Sequence, residues 1–491
     1  MSRLRKIAEI PAGSWTKWVV VGFWVVVLVL AFPLQKKLNG ALKNDASAWL
    51  PANTQSTKVL DVQARFQSRN ITSAVVVYER ASGLTAADRA KAAADARMFV
   101  GMHNVIPGRV VGPIPSADGK ALATTLQVDL GKQGWNGATK VVTDMRAITS
   151  ANANGLVSHI TGPLGNAADQ NSVFKGINGI LLLSALAVII VILLFTYRSP
   201  VLWLLPVLSS GVALITADAV VYLFAAHAGL VVNAQSQGIL DVLVFGASTD
   251  YALLIVARYR EELRRHDRRH PAMAEALRRA GPAIIASAVT VIAALLTLTR
   301  ADLASTSGLG PVLAIGVAVG AFSMLTLLPA LLVTFPRGVF WPYKPTYGTA
   351  EPTARGVWSR IGWGIAPRPR LTWIATAVIL GILALGTTGL KANGLTNAQF
   401  FRGHPDSVTG ASVLAEHFPA AAGAGEPVVV IGNPSAAAPL RSAFAATPGI
   451  ASVTPPTSAL APGTARTADR TRSMVAYAAW LSGGVVSVPS R

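Results

Sequence analysis

Cysteine is missing altogether from the 491 residues, so neither disulfides nor thiolate metal sites hold any part of this chain together. Charge is scarce as well: Asp, Glu, Lys and Arg make up 13% of the sequence against 52% hydrophobic residues, and acidic groups number 23 against 43 Lys and Arg. A chain so poor in charge, with several uninterrupted apolar runs of about twenty residues, is a polytopic membrane protein. No G-x-x-x-x-G-K-[ST] phosphate loop occurs, which removes ATP hydrolysis as a power source and leaves a proton gradient. The seven histidines are scattered over loops and helix ends and read as solvated side chains. With no His-rich or paired-carboxylate pattern, neither a metal nor another cofactor is expected. Serines occur without a nucleophile elbow, so an enzyme is not expected either. The net charge of +20 sits beside the apolar runs and is not interleaved with stacking aromatics, which argues against nucleic acid as a partner.

Seven spans are predicted, at about 15–34, 175–196, 201–225, 236–257, 283–299, 309–335 and 371–390. The first apolar run is followed by Lys36 and Lys37 and lacks a small-residue cleavage site, so it reads as an anchor and not as a removed signal peptide. Arg3, Arg5 and Lys6, Arg198, the run RYREELRRHDRRH, and Arg337, Lys344, Arg355, Arg360, Arg368 and Arg370 fall on one side. The short turns of the other side carry only His227, Arg300 and Asp302. Positive charge near span ends resists translocation, so the N-terminus is expected in the cytosol and segments 35–174 and 391–491 outside. The expected domains are 1–34 (N-terminus and first span), 35–174 (outer domain), 175–335 (spans two to six with a basic loop at 258–282), 336–370 (cytosolic linker), 371–390 (seventh span) and 391–491 (part of a second outer domain).

Asp250 and Tyr251 interrupt the fourth span, SQGILDVLVFGASTDYALLIVA. Asp250 lies eight residues before Arg258, or about 12 Å down the helix, near the middle of a hydrocarbon core about 30 Å thick. A carboxylate there is costly and marks proton or ion pathways. The adjacent phenol is placed to donate to it or orient it. The structural alternative is a packing aspartate bonded to Thr249, Ser287 or Thr290. Asp218 in the third span and Asp241 in the fourth fall nearer the outer ends of their helices. They read as packing or water-solvated groups, with a secondary polar path as the other possibility. Gly316 and Gly320 form a small-xxx-small pair suited to close helix approach.

Segment 35–174 alternates SAVVVYER, LTAADRAKAAADARMFVGMH, ALATTLQVDL, WNGATKVVTDMRAITSAN and LVSHITGP, which predicts a small α+β sandwich of ferredoxin-like type. Its last helix is expected to run from about Gln170 straight into the second span. The design recurs about 350 residues later: WLPANTQSTKVLDVQARF and VVVYE are echoed by FFRGHPDSVTGASVLAEHF and EPVVVIG, then by APLRSAFAA and SMVAYAAWL. The second copy ends at Arg491 after its apparent second strand, the pattern of a pseudo-symmetric transporter cut short by roughly 200 residues.

The stretch NAQSQGILDVLVFGASTDYALLIVARYREELRRH, continuing through HPAMAEALRRAGPAIIASAVTVIAALLTL, resembles the fourth and fifth spans of MMPL (mycobacterial membrane protein large) transporters of the resistance-nodulation-division superfamily. ADLASTSGLGPVLAIGVAVGAFSMLTLLPALLV is similar to their sixth span, and G-A-x-T-D-Y followed by R-Y-R-E-E is the specific part. The resemblance implies a polytopic α-helical membrane protein with extracytoplasmic α+β, ferredoxin-like, porter-type domains. It further implies proton-driven export of lipids, lipid conjugates or hydrophobic small molecules across the cell membrane, with the relay at Asp250 and Tyr251 and a matching Asp-Tyr pair in a tenth span. At position 241 it leads to expect a neutral residue such as Thr, where this chain carries Asp. Expected partners are membrane lipids, hydrophobic cargo, and either a second copy or accessory envelope proteins; the basic loop reads first as a topogenic anchor and connector between two spans, with contact to anionic headgroups as the other possibility. The rival expectation is a truncated, transport-incompetent scaffold that binds envelope-assembly partners or lipid.

Overall fold

The computed structural model describes residues 10–44, 70–349, 357–390 and 403–418, with strand pieces at 428–430, 450–453 and 477–481 and a few isolated residues between. Seven helices are long and apolar enough to cross a membrane: α1 (Thr16–Ala41), the later part of α4 (Gly162–Tyr197), α5 (Leu204–His227), α6 (Ala234–Arg265), α7 (Arg269–Thr297), α8 (Ala304–Thr334) and α10 (Pro369–Leu385). A short α9 (Val357–Ile365) precedes α10. The chain is thus a multi-pass membrane protein with the spans where hydropathy predicts them. The expected basic loop is largely helical instead: α6 runs on to Arg265, α7 starts at Arg269, and only three residues turn between them.

α8 is uncharged along its whole length and is the axis of the bundle, packing on α5, α6 and α7. α1 lies against α5 and α8, where the Trp24 indole donates to Thr326 Oγ1 at 3.0 Å. α10, by contrast, has no buried residue along its length.

Between α1 and α4 the chain forms β1 (Ile71–Glu79), α2 (Ala86–Val100), β2 (Val105–Pro115), β3 (Ala121–Asp129), α3 (Ala138–Ser150) and β4 (Val157–Thr161). The strands make an antiparallel sheet in the order β2-β3-β1-β4, which is the βαββαβ sandwich of the ferredoxin-like class. β2 carries Pro107, Gly108, Gly112, Pro113 and Pro115, which hide its apolar alternation. Such residues are tolerated because β2 is an edge strand, paired only with β3. Ala74, Val76 and Tyr78 of β1 and Ile160 of β4 project onto one face and form a core with Phe99 of α2 and Val142 and Met145 of α3. α2 starts at a reciprocal capping box between Thr85 and Asp88. α4 begins immediately after β4, eight residues before Gln170, because Gly162 takes a left-handed turn (φ 79°) and Pro163 opens the helix.

A second sheet holds β5 (Val428–Val430), β6 (Ile450–Val453) and β7 (Tyr477–Leu481) in the order β5-β7-β6, all antiparallel. This repeats β1-β3-β2 of the first sheet, strand for strand. Most of the expected helix at APLRSAFAA and most of WLPANTQSTKVLDVQARF lie outside the described residues.

The helix α11 (Asp406–His417), which follows α10, docks on β4 and on the face of the first sheet opposite α2 and α3. Gly410 allows this: a Cβ there would lie 2.8 Å from His159 Cβ and 3.1 Å from Thr161 Cβ. Asp406 receives Arg146 Nε (2.9 Å), His159 Nδ1 (2.7 Å) and the Ile160 backbone N–H (3.1 Å). Ser407 N–H donates to Asp169 Oδ2 (2.8 Å), and Thr161 Oγ1 donates to the Ser407 carbonyl (2.7 Å). At the other end His417, only 6% exposed, pairs with Asp118 at 2.5 Å and Glu79 at 3.5 Å. His159 and His417 are therefore not the solvated side chains that their scattered positions suggest.

Candidate functional site

α6 is the helix on which the sequence places its intramembrane acids, and its rotation decides where they point. Its first turn is fixed by Asn233, whose Oδ1 accepts from Ser236 N–H (2.8 Å), and by Asn44 Oδ1, which accepts from Ala234 N–H (3.0 Å). Farther along, the two glycines of α8 form a notch. A Cβ on Gly316 would come within 2.4 Å of Leu240 and 2.8 Å of Val244, and one on Gly320 within 2.7 Å of Ser248 Oγ. Backbone approach of this kind is the role small-xxx-small pairs serve in membranes. Leu240, Val244 and Ser248, at helical spacing, consequently form the buried face of α6.

The opposite face is open. Gln235, Ile239, Asp250, Leu254 and Ala257 are exposed, and Val242 and Gly246 between them are half-buried, so the seven form one stripe at i, i+3 and i+4 spacing. Asp250 stands in the middle of it. Among the described residues no hydrogen bond or ion pair engages its side chain. Thr249 Oγ1 donates to the Phe245 and Gly246 carbonyls of its own helix, and Thr290 Oγ1 donates to Ala286. Tyr251, next in sequence, turns the other way: it is 5% exposed, and its hydroxyl approaches Ser287 of α7. Asp250 and Tyr251 are thus split between an outward stripe and an interhelical core.

Asp218 and Asp241 are brought together, with Asp218 of α5 buried and within electrostatic reach of Asp241 of α6. Their pairing could have been read only with the rotation of both helices known.

At the basic end Glu262 is wholly buried among cations. Arg258 Nη2 and His266 Nδ1 lie 3.4 Å from its carboxylate, Arg279 Nε 3.7 Å and Arg265 Nη1 3.8 Å. Arg278 and Arg279 both pair with Glu275. Arg337 caps α6 by donating to the His266 and Asp267 carbonyls at 2.7 Å each, and Arg269 donates to the Phe335 carbonyl at 2.7 Å. Much of the basic run is thus engaged inside the chain, tying α6, α7 and α8 together.

The MMPL family profile matches residues 48–372, which hold the sheet domain, spans two to six and the start of the seventh. The chain belongs to the MMPL family. ActII-3 of Streptomyces coelicolor is 50% identical over 453 residues, 92% of this chain and 63% of that protein. The apo-petrobactin exporter of Bacillus anthracis is 28% identical over 87% of this chain and 62% of its own length. The sulfolipid-1 exporter MmpL8 of Mycobacterium tuberculosis is 31% identical over 82% of this chain and 37% of its own. The chain therefore spans less than two thirds of the length of each of these relatives.

Proposed function

We propose that this MMPL chain works in proton-driven export of lipids or hydrophobic small molecules across the cell membrane. The basic ends of the spans face the cytosol, and residues 35–174 and 391–491 lie outside as porter-type domains. The observation that carries this is Asp250, alone on an otherwise uncharged stripe at mid-span and beside the buried Tyr251. A carboxylate at that depth costs about 2.5–3.5 kcal/mol when its helix faces lipid, so the stripe is best satisfied by a further helix with its own polar group. Protonation removes the charge and lets α6 and that helix close; release of the proton separates them again. The relatives named for export of sulfolipid-1 and apo-petrobactin support the cargo class and not a particular cargo. Exposed cations at the basic end, Arg268 and Lys344 among them, are the groups left to meet anionic headgroups.

The test is efflux of a fluorescent lipid analogue from cells producing the full gene product. The parent should export it in a protonophore-sensitive way and Asp250→Asn should not. Undiminished, still protonophore-sensitive export by Asp250→Asn refutes the proposal.

A further inference from the structure

Asp241 and Asp250 lie nine residues apart on one helix. At about 100° and 1.5 Å per residue they project from opposite faces of α6, roughly 13 Å apart along its axis. Asp250 therefore cannot share a site with Asp241, which turns to α5 and the Asp218 carboxylate. Asp218 is 2% exposed, and Oδ1 of each acid is shut off from solvent without a hydrogen-bond partner among the described residues. Around them Leu38, Ala217, Val221, Leu240 and Val244 belong to one buried apolar cluster. The Gln35 side chain of α1 approaches Asp218 from the third side.

Among the described residues no fixed positive charge is paired with these two acids. Lys36 and Lys37 beside Gln35 are exposed, Lys36 lying over the Phe32 ring, and His227 at the end of α5 is exposed too. α8 and the span portion of α4, which also pack on α6, contain no acidic or basic residue, and α7 carries its charges only between Arg269 and Arg279 at the basic end. Two adjacent carboxylates against an apolar cluster, Asp218 buried and Asp241 half-buried, do not both stay charged unless a cation accompanies them.

We propose that Asp218, Asp241 and Gln35 form a second ion station, distinct from Asp250, that holds one monovalent cation, H⁺ or Na⁺, between α1, α5 and α6. A proton would sit on one carboxyl group and be donated in a hydrogen bond to the other. Sodium would take carboxylate oxygens and the Gln35 amide oxygen, ligands that suit a hard cation. Either way the ion links α5 to α6, and as sodium it also engages Gln35 of α1, so loading the station favours closure of the α5–α6 contact. The station does not rest on the export reading, and its test measures no transport.

The experiment uses the full gene product in lipid nanodiscs. Retention of radioactive sodium is measured beside labelling by a hydrophobic carbodiimide, which attacks protonated carboxyls shielded from water, with the adducts located by mass spectrometry. Sodium retention that is lost in Asp218→Asn and in Asp241→Asn but kept in Asp250→Asn supports the sodium form. No sodium, with adducts on Asp218 or Asp241 at neutral pH that decline as the pH is raised, supports the proton form. Gln35→Leu should weaken sodium retention roughly tenfold, or move the pH of that decline, as loss of a hydrogen bond to a charged group requires. Neither sodium nor adducts on either residue overturns the proposal. So does sodium retention that depends on Asp250, or a Gln35→Leu variant identical to the parent.

Discussion

Replacing Gly410 by Ala sets two effects of opposite sign against each other on one helix. Alanine stabilises the interior of a helix by about 0.5–1 kcal/mol relative to glycine, so α11 considered alone should gain. Docked α11 should lose more. The new Cβ would stand 2.8 Å from His159 Cβ and 3.1 Å from Thr161 Cβ, whereas carbon atoms prefer about 3.5–4.0 Å. Neither neighbour can rotate away, because a Cβ is fixed by its backbone and β4 is held in register by β1 at His159↔Val77 and Thr161↔Val75. The helix must therefore lift by somewhat under about 1 Å. That movement stretches the Thr161–Ser407, Ile160–Asp406 and Ser407–Asp169 bonds, now 2.7, 3.1 and 2.8 Å, together. Overpacking of this kind costs about 1–3 kcal/mol, which outweighs the propensity gain and leaves α11 less firmly docked by about 1 kcal/mol. Amide hydrogen exchange in the α11 segment should then quicken about fivefold, with the β1–β3 amides unchanged. Equal or slower exchange in α11 would show that the contact with β4 is not what holds this helix, and the argument would fail.

The other end of α11 should respond to pH. Burial works to lower His417, but the Asp118 carboxylate beside it outweighs that and raises it above the ordinary histidine value. The pairing therefore contributes fully below about pH 6.5 and is lost as pH rises through the folded-state value, so the protection of α11 amides relative to their intrinsic exchange rates should fall on the alkaline side, and His417→Gln should remove that fall. Asp118 is held below the usual carboxylate range by Ser116 and His417, so its share is present at neutral pH and is lost only on strong acidification. In the bundle, Gly320→Ala should lower thermal stability in detergent by about 1–3 kcal/mol, and Ser248→Gly, which removes the atom 2.7 Å from the new Cβ, should restore part of it. Because the chain has no cysteine of its own, orientation can be tested with single cysteines. A membrane-impermeant maleimide should label Ala151→Cys in intact cells and Arg268→Cys only after permeabilisation, both sites being exposed.

The spans, the α+β alternation and the glycine pair of α8 were legible because each is written in one segment: a twenty-residue apolar run, a change of period, two small residues one turn apart. Both strands that the sequence hides, β2 and β6, are the same element of the repeat. β2 breaks its alternation with Pro and Gly, and β6 is only four residues long. What was not legible depends on rotation or on distance along the chain. Asp241 meets Asp218 because of how α5 and α6 face each other, although neither local pattern states it. Glu262 gathers Arg258, Arg265 and His266 from its own turn of helix, but Arg279 comes from the next helix. Asp406 meets Arg146 and His159 across about 250 residues, a pairing no spacing rule contains.

The glycine notch also fixes the face that Asp250 presents. With Leu240, Val244 and Ser248 seated against Gly316 and Gly320, residues half a turn away from that row must lie on the open stripe. A lipid-soluble maleimide should therefore label Leu254→Cys, now 51% exposed, much faster than Ala252→Cys, which is fully buried. Filling the notch with Gly320→Val places side-chain atoms where Ser248 sits, and α6 can accommodate them only by moving outward or turning. If it turns, Ala252→Cys becomes reactive and Leu254→Cys loses part of its advantage, and carbodiimide labelling of Asp250 should fall in parallel, because one rigid helix carries all three residues. Gly320→Val that lowers stability while leaving the Leu254-to-Ala252 ratio unchanged would mean that the clash is absorbed locally. The orientation of Asp250 would then be set by contacts other than the α8 glycines.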